Sequence, residues 1–266
     1  MYRSTNLIKT LFNQGFVFII LFISLPSIVQ GQGQDTIITP TIRQELWPEI
    51  DAYYRLNDKF RLFGYYSATK LKTSSYTDGG LSINLDYFAL PVWRNSKPRA
   101  DSTRGSLLWF RAGFAYSRSP NGVENPFKDY TIVTEGSARF YLPWDMLLTQ
   151  RNRFEWRWRN GVFQSRYRPK LTVERGFETD FLTFTVYTYG EYFVNMNTEN
   201  PDVFRLALGW EVKASKHLSF ETYYVHQFDN GKNVKALDAM GLALKIYLKH
   251  KEMKKMFSKK TKEEPK

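Results

Sequence analysis

From residue 42 to residue 248, apolar side chains recur at every second position. A period of two is the signature of strands with two unlike faces, and it excludes a helical body. In residues 46–56, Leu46, Pro48, Ile50, Ala52, Tyr54 and Leu56 share one face, with Glu45, Trp47, Glu49, Asp51, Tyr53 and Arg55 opposite. Asn57-Asp58 then marks a tight turn. Phe60, Leu62, Gly64, Tyr66 and Ala68 resume the apolar face. The alternation is sharpest in residues 148–159, where Phe154, Trp156 and Trp158 oppose Arg151, Arg153, Glu155, Arg157 and Arg159. Asn160-Gly161 follows as a hairpin signal, and the returning segment sets Tyr167, Leu171 and Val173 against Arg166, Arg168, Lys170 and Glu174.

Eleven segments carry this pattern: 46–56, 60–69, 81–89, 108–117, 130–141, 148–159, 167–174, 182–193, 204–212, 218–228 and 240–248. Short links (57–58, 142–145, 214–217) alternate with longer polar ones (72–80, 119–127, 195–202, 229–235), and 91–105 is long where a short turn is expected. This asymmetry suits outer-membrane barrels, whose strands of about ten residues cross the apolar layer when tilted. The expected fold is all-β, a transmembrane antiparallel up-and-down β-barrel of about 10–12 strands. Twelve is preferred because closed bacterial barrels carry even numbers, with residues 36–43 as the candidate for the twelfth. The rival is a secreted soluble β-barrel or sandwich with its apolar face inward, since alternation alone does not say which face is inside.

Composition supports an exported membrane barrel. Aromatic residues make up 17% of the 266 residues and Cys is absent, which excludes thiolate chemistry and disulfides. Residues 1–31 read as a signal peptide: Arg3 and Lys9 precede an apolar run that is too short and broken to span a bilayer. The formal charge is +12, much of it in the Lys-rich tail at 249–266, which is expected to be disordered. Residues 32–248 are then the barrel. Export makes nucleic acid an unexpected partner, and outer-membrane lipids are the expected one.

The last segment resembles the terminal signal read by the barrel-assembly machinery: Gly241, then Leu242, Leu244, Ile246, Tyr247 and Leu248. The chain also resembles an uncharacterised, domain-of-unknown-function family of Gram-negative β-barrel proteins. The residues carrying this are Arg151-Asn152-Arg153-Phe154-Glu155-Trp156-Arg157, the segment 184–193 with Tyr189 and Glu191, Phe204-Arg205-Leu206-Ala207-Leu208-Gly209-Trp210, and the segment 218–227. The resemblance implies an outer-membrane location and assigns no reaction, substrate or catalytic residue.

Two constellations bear on chemistry. His226 is followed by Phe228 where a membrane-embedded lipid hydrolase needs a serine nucleophile, so an enzyme is not expected and no catalytic residue is assigned. Arg151, Arg153, Arg157, Arg166, Arg168 and Lys170 fall on one face of two neighbouring strands. They are expected to line the lumen in an ion-paired network with Glu135, Glu155, Glu174 and the carboxylates of the first strand, or to meet small anionic solutes. No metal and no cofactor are implied, because no His or carboxylate cluster has ligand spacing. The expected role is an envelope scaffold or narrow porin-like pore; the alternatives are a lipid hydrolase with an atypical site and a soluble binding protein.

Overall fold

The computed structural model describes residues 43–71, 76–91, 106–120, 126–179, 182–197, 203–229 and 236–250. Eleven strands appear in chain order: β1 (Arg43–Arg55), β2 (Phe60–Leu71), β3 (Tyr76–Pro91), β4 (Ser106–Arg118), β5 (Lys128–Leu142), β6 (Met146–Arg159), β7 (Val162–Glu178), β8 (Thr183–Asn195), β9 (Val203–Lys213), β10 (Leu218–Asp229) and β11 (Ala236–Lys249). Each expected segment matches one of them, overrunning only at Leu56 and Leu182. Residues 1–31, expected as a signal peptide, residues 36–42 of the candidate twelfth strand and residues 251–266 of the expected tail lie outside the described residues; Arg43 begins β1.

Neighbouring strands pair in sequence order, and the sheet closes β1 onto β11. The structure corrects two expectations here. The barrel closes with eleven strands, so the even count does not hold. The seam is parallel, Arg43 opposite Leu237 through Arg55 opposite Lys249, while every other pair is antiparallel. One fact explains both. Successive strands reverse direction, so an odd number leaves the first and last pointing the same way, and only a parallel ladder can join them. Parallel pairing is slightly less stable per residue but satisfies the same backbone groups. Arg43 and Lys249 consequently stand at opposite ends of the barrel.

Local chemistry sets the turns. Asn160 and Gly161 both take positive φ, 50° and 83°, as the tight hairpin turn between β6 and β7 requires. Trp144 and Asp145 do the same between β5 and β6, without a glycine. Gly79 and Gly80, expected within the polar link 72–80, lie inside β3.

The faces divide by polarity. Outward side chains include Ile50, Leu62, Ile83, Leu85, Phe114, Ile132, Leu171, Leu206 and Leu242, all more than a third exposed. Inward side chains include Asp51, Arg61, Asp86, Asp129, Glu135, Glu155 and Glu191, all buried. The polar side is thus the inside, the inverse of a water-soluble barrel. Eleven strands about 4.8 Å apart, tilted by about 40°, give a backbone radius of about 11 Å. Arginine side chains reaching inward from opposite walls fill much of that width, and the remaining cavity is 1130 Å³.

Candidate functional site: an ion-paired lumen

The lumen is built from the alternation itself. On β6, Arg151, Arg153, Glu155 and Arg157 point inward because Phe154, Trp156 and Trp158 point outward. On β7, Arg166, Arg168, Lys170 and Glu174 do the same. All nine residues of the expected charge ladder, including Glu135 on β5, line one cavity.

Most of the ladder is paired. Glu135 accepts from Arg153 at 2.7 Å, and Arg151 lies 3.7 Å away. Glu155 takes Arg166 and Arg168, each at 2.6 Å. Two carboxylates outside the expected charge ladder complete the network. Glu191 on β8 accepts from Arg151 at 2.5 Å and Arg168 at 2.8 Å, and Asp129 on β5 pairs with Arg157. Single guanidiniums thereby tie three strands together: Arg168 on β7 grips Glu155 on β6 and Glu191 on β8. Such forked, charge-assisted bonds hold both partners in one geometry.

The carboxylates of β1 do not join this network, contrary to expectation. Glu45 takes Arg43 at 2.6 Å, and Glu49 and Asp51 are bonded by tyrosines. Residue spacing places them on the right face, but the pairing of strands puts them across the barrel from β6 and β7. There they serve the seam. Tyr223 on β10 lies over Gly241 on β11 and donates to Glu49 Oε1 on β1 at 2.7 Å; Tyr65 on β2 donates to the same oxygen at 3.0 Å. One carboxylate therefore links the strands on both sides of the parallel junction. Tyr53 stacks between Tyr247 (centroids 5.0 Å) and Phe63 (4.7 Å), a second lace across the seam. Of the expected assembly-signal residues, Gly241 and Tyr247 face the lumen side of this junction, and Leu242 is exposed on the outer wall.

A third knot centres on Asp86 of β3, which is fully buried. Its Oδ2 accepts from Arg61 Nη2 at 2.5 Å and its Oδ1 from Arg111 Nε at 2.6 Å. Arg61 stacks on Tyr53 and Arg111 on Phe63. Sequence reasoning missed this knot, although Asp86 and Arg111 both fall on polar faces of adjacent strands.

His226 faces outward. Its Nδ1 lies 2.6 Å from Asp238 Oδ1, which also accepts from the Tyr224 hydroxyl at 2.7 Å. The Phe228 ring stands edge-on to the imidazole, centroids 4.4 Å apart, in the place where a hydrolase needs its hydroxyl. Among the described residues no group of His, Asp and Glu has the arrangement of a metal site.

No curated protein matches the chain. The model of a family of proteins of unknown function, DUF2490, matches residues 44–238, from β1 into β11, and the chain belongs to that family.

Proposed function

We propose that this chain is an integral outer-membrane β-barrel that acts as an envelope scaffold or narrow pore and carries out no catalysis. The observation that carries the reading is the inverted distribution of polarity: an apolar outer wall around an ionic interior. Soluble monomers rarely expose contiguous apolar patches beyond a few hundred Å², whereas here apolar side chains face outward on strand after strand. Lipid is the solvent that such a wall suits, and a closed sheet satisfies its own backbone there.

Aromatic pairs mark both rims. Tyr116–Tyr130, Trp158–Phe163 and Phe204–Phe228 stand at one end, and Phe60–Tyr87 and Phe177–Phe184 at the other. On β5, Tyr130 and Phe140 bracket the outward apolar positions. Ten residues at about 3.3 Å each, tilted by about 40°, span about 25 Å, the height of the apolar band in outer-membrane barrels. The amino-terminal signal supports export, and the terminal strand, Gly241 to Leu248, supports recognition by the barrel-assembly machinery. In this reading β11 presents its open edge to that machinery until β1 takes it.

Cell fractionation with gel electrophoresis tests the proposal. The protein is expected in the outer-membrane fraction, and the unheated detergent extract is expected to migrate differently from the boiled one, as a closed barrel does. Recovery from the soluble periplasm, or identical migration of the two samples, would remove it.

A further inference from the structure

We infer that the lumen contains a binding site for a small oxyanion, a carboxylate or a phosphate, formed by Lys170 and Arg205 with Arg151 beside them. The inference deepens the proposed function and rests on its reading of the lumen as a narrow, charge-lined interior.

The argument begins with the way charge is divided across the barrel. On β6 to β9, the inward cations Arg151, Arg153, Arg157, Arg159, Arg166, Arg168, Lys170 and Arg205 outnumber the inward carboxylates Glu155, Glu174, Glu191 and Glu211, even with Asp129 and Glu135 of the neighbouring β5 added. On β10, β11 and β1 the balance reverses, with the inward carboxylates Glu45, Glu49, Asp51 and Glu221 against Arg43 and Lys245. The excess of positive charge therefore sits on the wall that holds Lys170 and Arg205.

Lys170 and Arg205 flank Glu191 in register, one on each neighbouring strand. Glu191 is already engaged by Arg151 and Arg168. Among the described residues neither Lys170 nor Arg205 has a carboxylate within ion-pair distance. Both rest on aromatic rings instead. Lys170 Nζ lies 3.4 Å from the Tyr189 centroid. The Arg205 guanidinium lies 4.5 Å from Phe193 and 5.1 Å from Trp47, with one hydrogen bond, to Gln227. A ring face stabilises a cation but leaves most of its N–H donors unused. Beside them the buried Nε of Arg151 has no hydrogen-bond partner, although Glu135 Oε2 lies 3.7 Å from it.

These donors border the 1130 Å³ cavity, which is large enough for a small organic anion. A buried cation without a counter-charge is costly, and an incoming oxyanion relieves that cost by accepting the free N–H groups. The aromatic floor of Tyr189, Phe193 and Trp47 leaves room for a ligand with an apolar or ring-shaped body next to its anionic group.

Calorimetric titration of the folded full-length protein in detergent tests this, with inorganic phosphate and citrate as the two probes. Wild type is expected to bind at least one of them; which one it prefers identifies the phosphate or the carboxylate as the anionic group. The K170Q/R205Q variant is expected to lose about tenfold or more in affinity, the scale of one charge-assisted hydrogen bond. Arg118→Gln, at the exposed end of β4 and outside the cavity lining, is expected to bind like wild type. If the double variant does not fold, each single variant is expected to weaken binding. No binding by wild type, or equal affinity in folded variants, would overturn the site. A barrel recovered from the soluble fraction that still binds would overturn the membrane reading and leave this one standing.

Discussion

Replacing Asp86 by asparagine is expected to cost about 3–5 kcal/mol of stability, the usual penalty for removing one member of a buried ion pair. The size follows from what remains. Arg61 and Arg111 both spend their charge-assisted bonds on this one carboxylate, and both are largely buried, with side chains 6% and 12% exposed. Neither can turn to water, and a neutral amide in place of the carboxylate would leave two cations facing each other. Urea unfolding of the refolded barrel measures it as a lowered midpoint. The same experiment on Glu45→Gln supplies the contrast, because its partner Arg43 is 44% exposed. That pair is expected to contribute within about 1 kcal/mol.

The second large effect is at the seam. A Cβ at Gly241 would fall inside contact distance of the Tyr223 ring, so Gly241→Val is expected to expel Tyr223 from its place. The hydrogen bond to Glu49 and the contact with Trp47 go with it. Overpacking costs about 1–3 kcal/mol, and a hydrogen bond to a charged group about 1.5–3 kcal/mol. A loss of about 3 kcal/mol or more is expected, read as a smaller heat-modifiable fraction and a lower urea midpoint. Tyr223→Ala in the same chain removes the clash, so the double variant is expected to be less destabilised than the two single effects added together. Gly64, whose nearest neighbours would lie 4.0 Å from an added Cβ, is expected to accept alanine with little change.

The alternation of Arg153, Glu155 and Arg157 with Phe154 and Trp156 is enough to place each of them on its face, because side-chain direction in a strand is a local property. The Asn160-Gly161 turn is readable for the same reason. The choice between inside and outside is not local. It depends on the curvature of the closed sheet, and only closure shows that the charged face is concave. Nor can spacing reveal the seam, since Tyr223 and Glu49 are 174 residues apart. The even strand count is a habit of known barrels and not a rule of geometry, and the parallel junction shows how eleven strands close. The charge ladder is legible residue by residue, but two of its counter-ions, Asp129 and Glu191, are not. Their pairing depends on the offset between strands, which the turns and loops set together.

An engineered cross-link in isolated outer membranes tests the parallel seam, and the proposed membrane residence with it, most directly. The chain has no cysteine, so a pair introduced at Ala52 and Ile246, opposite each other across β1 and β11, reports on that junction alone. Neighbouring strands about 4.8 Å apart fall within the Cα separation that a disulfide bridges. Oxidation of isolated outer membranes is expected to give an intramolecular cross-link for Ala52→Cys with Ile246→Cys, and none for Ala52→Cys with Asp238→Cys, eight residues out of register. A cross-link from the offset pair in place of the registered one, or protein absent from the outer-membrane fraction, would contradict it.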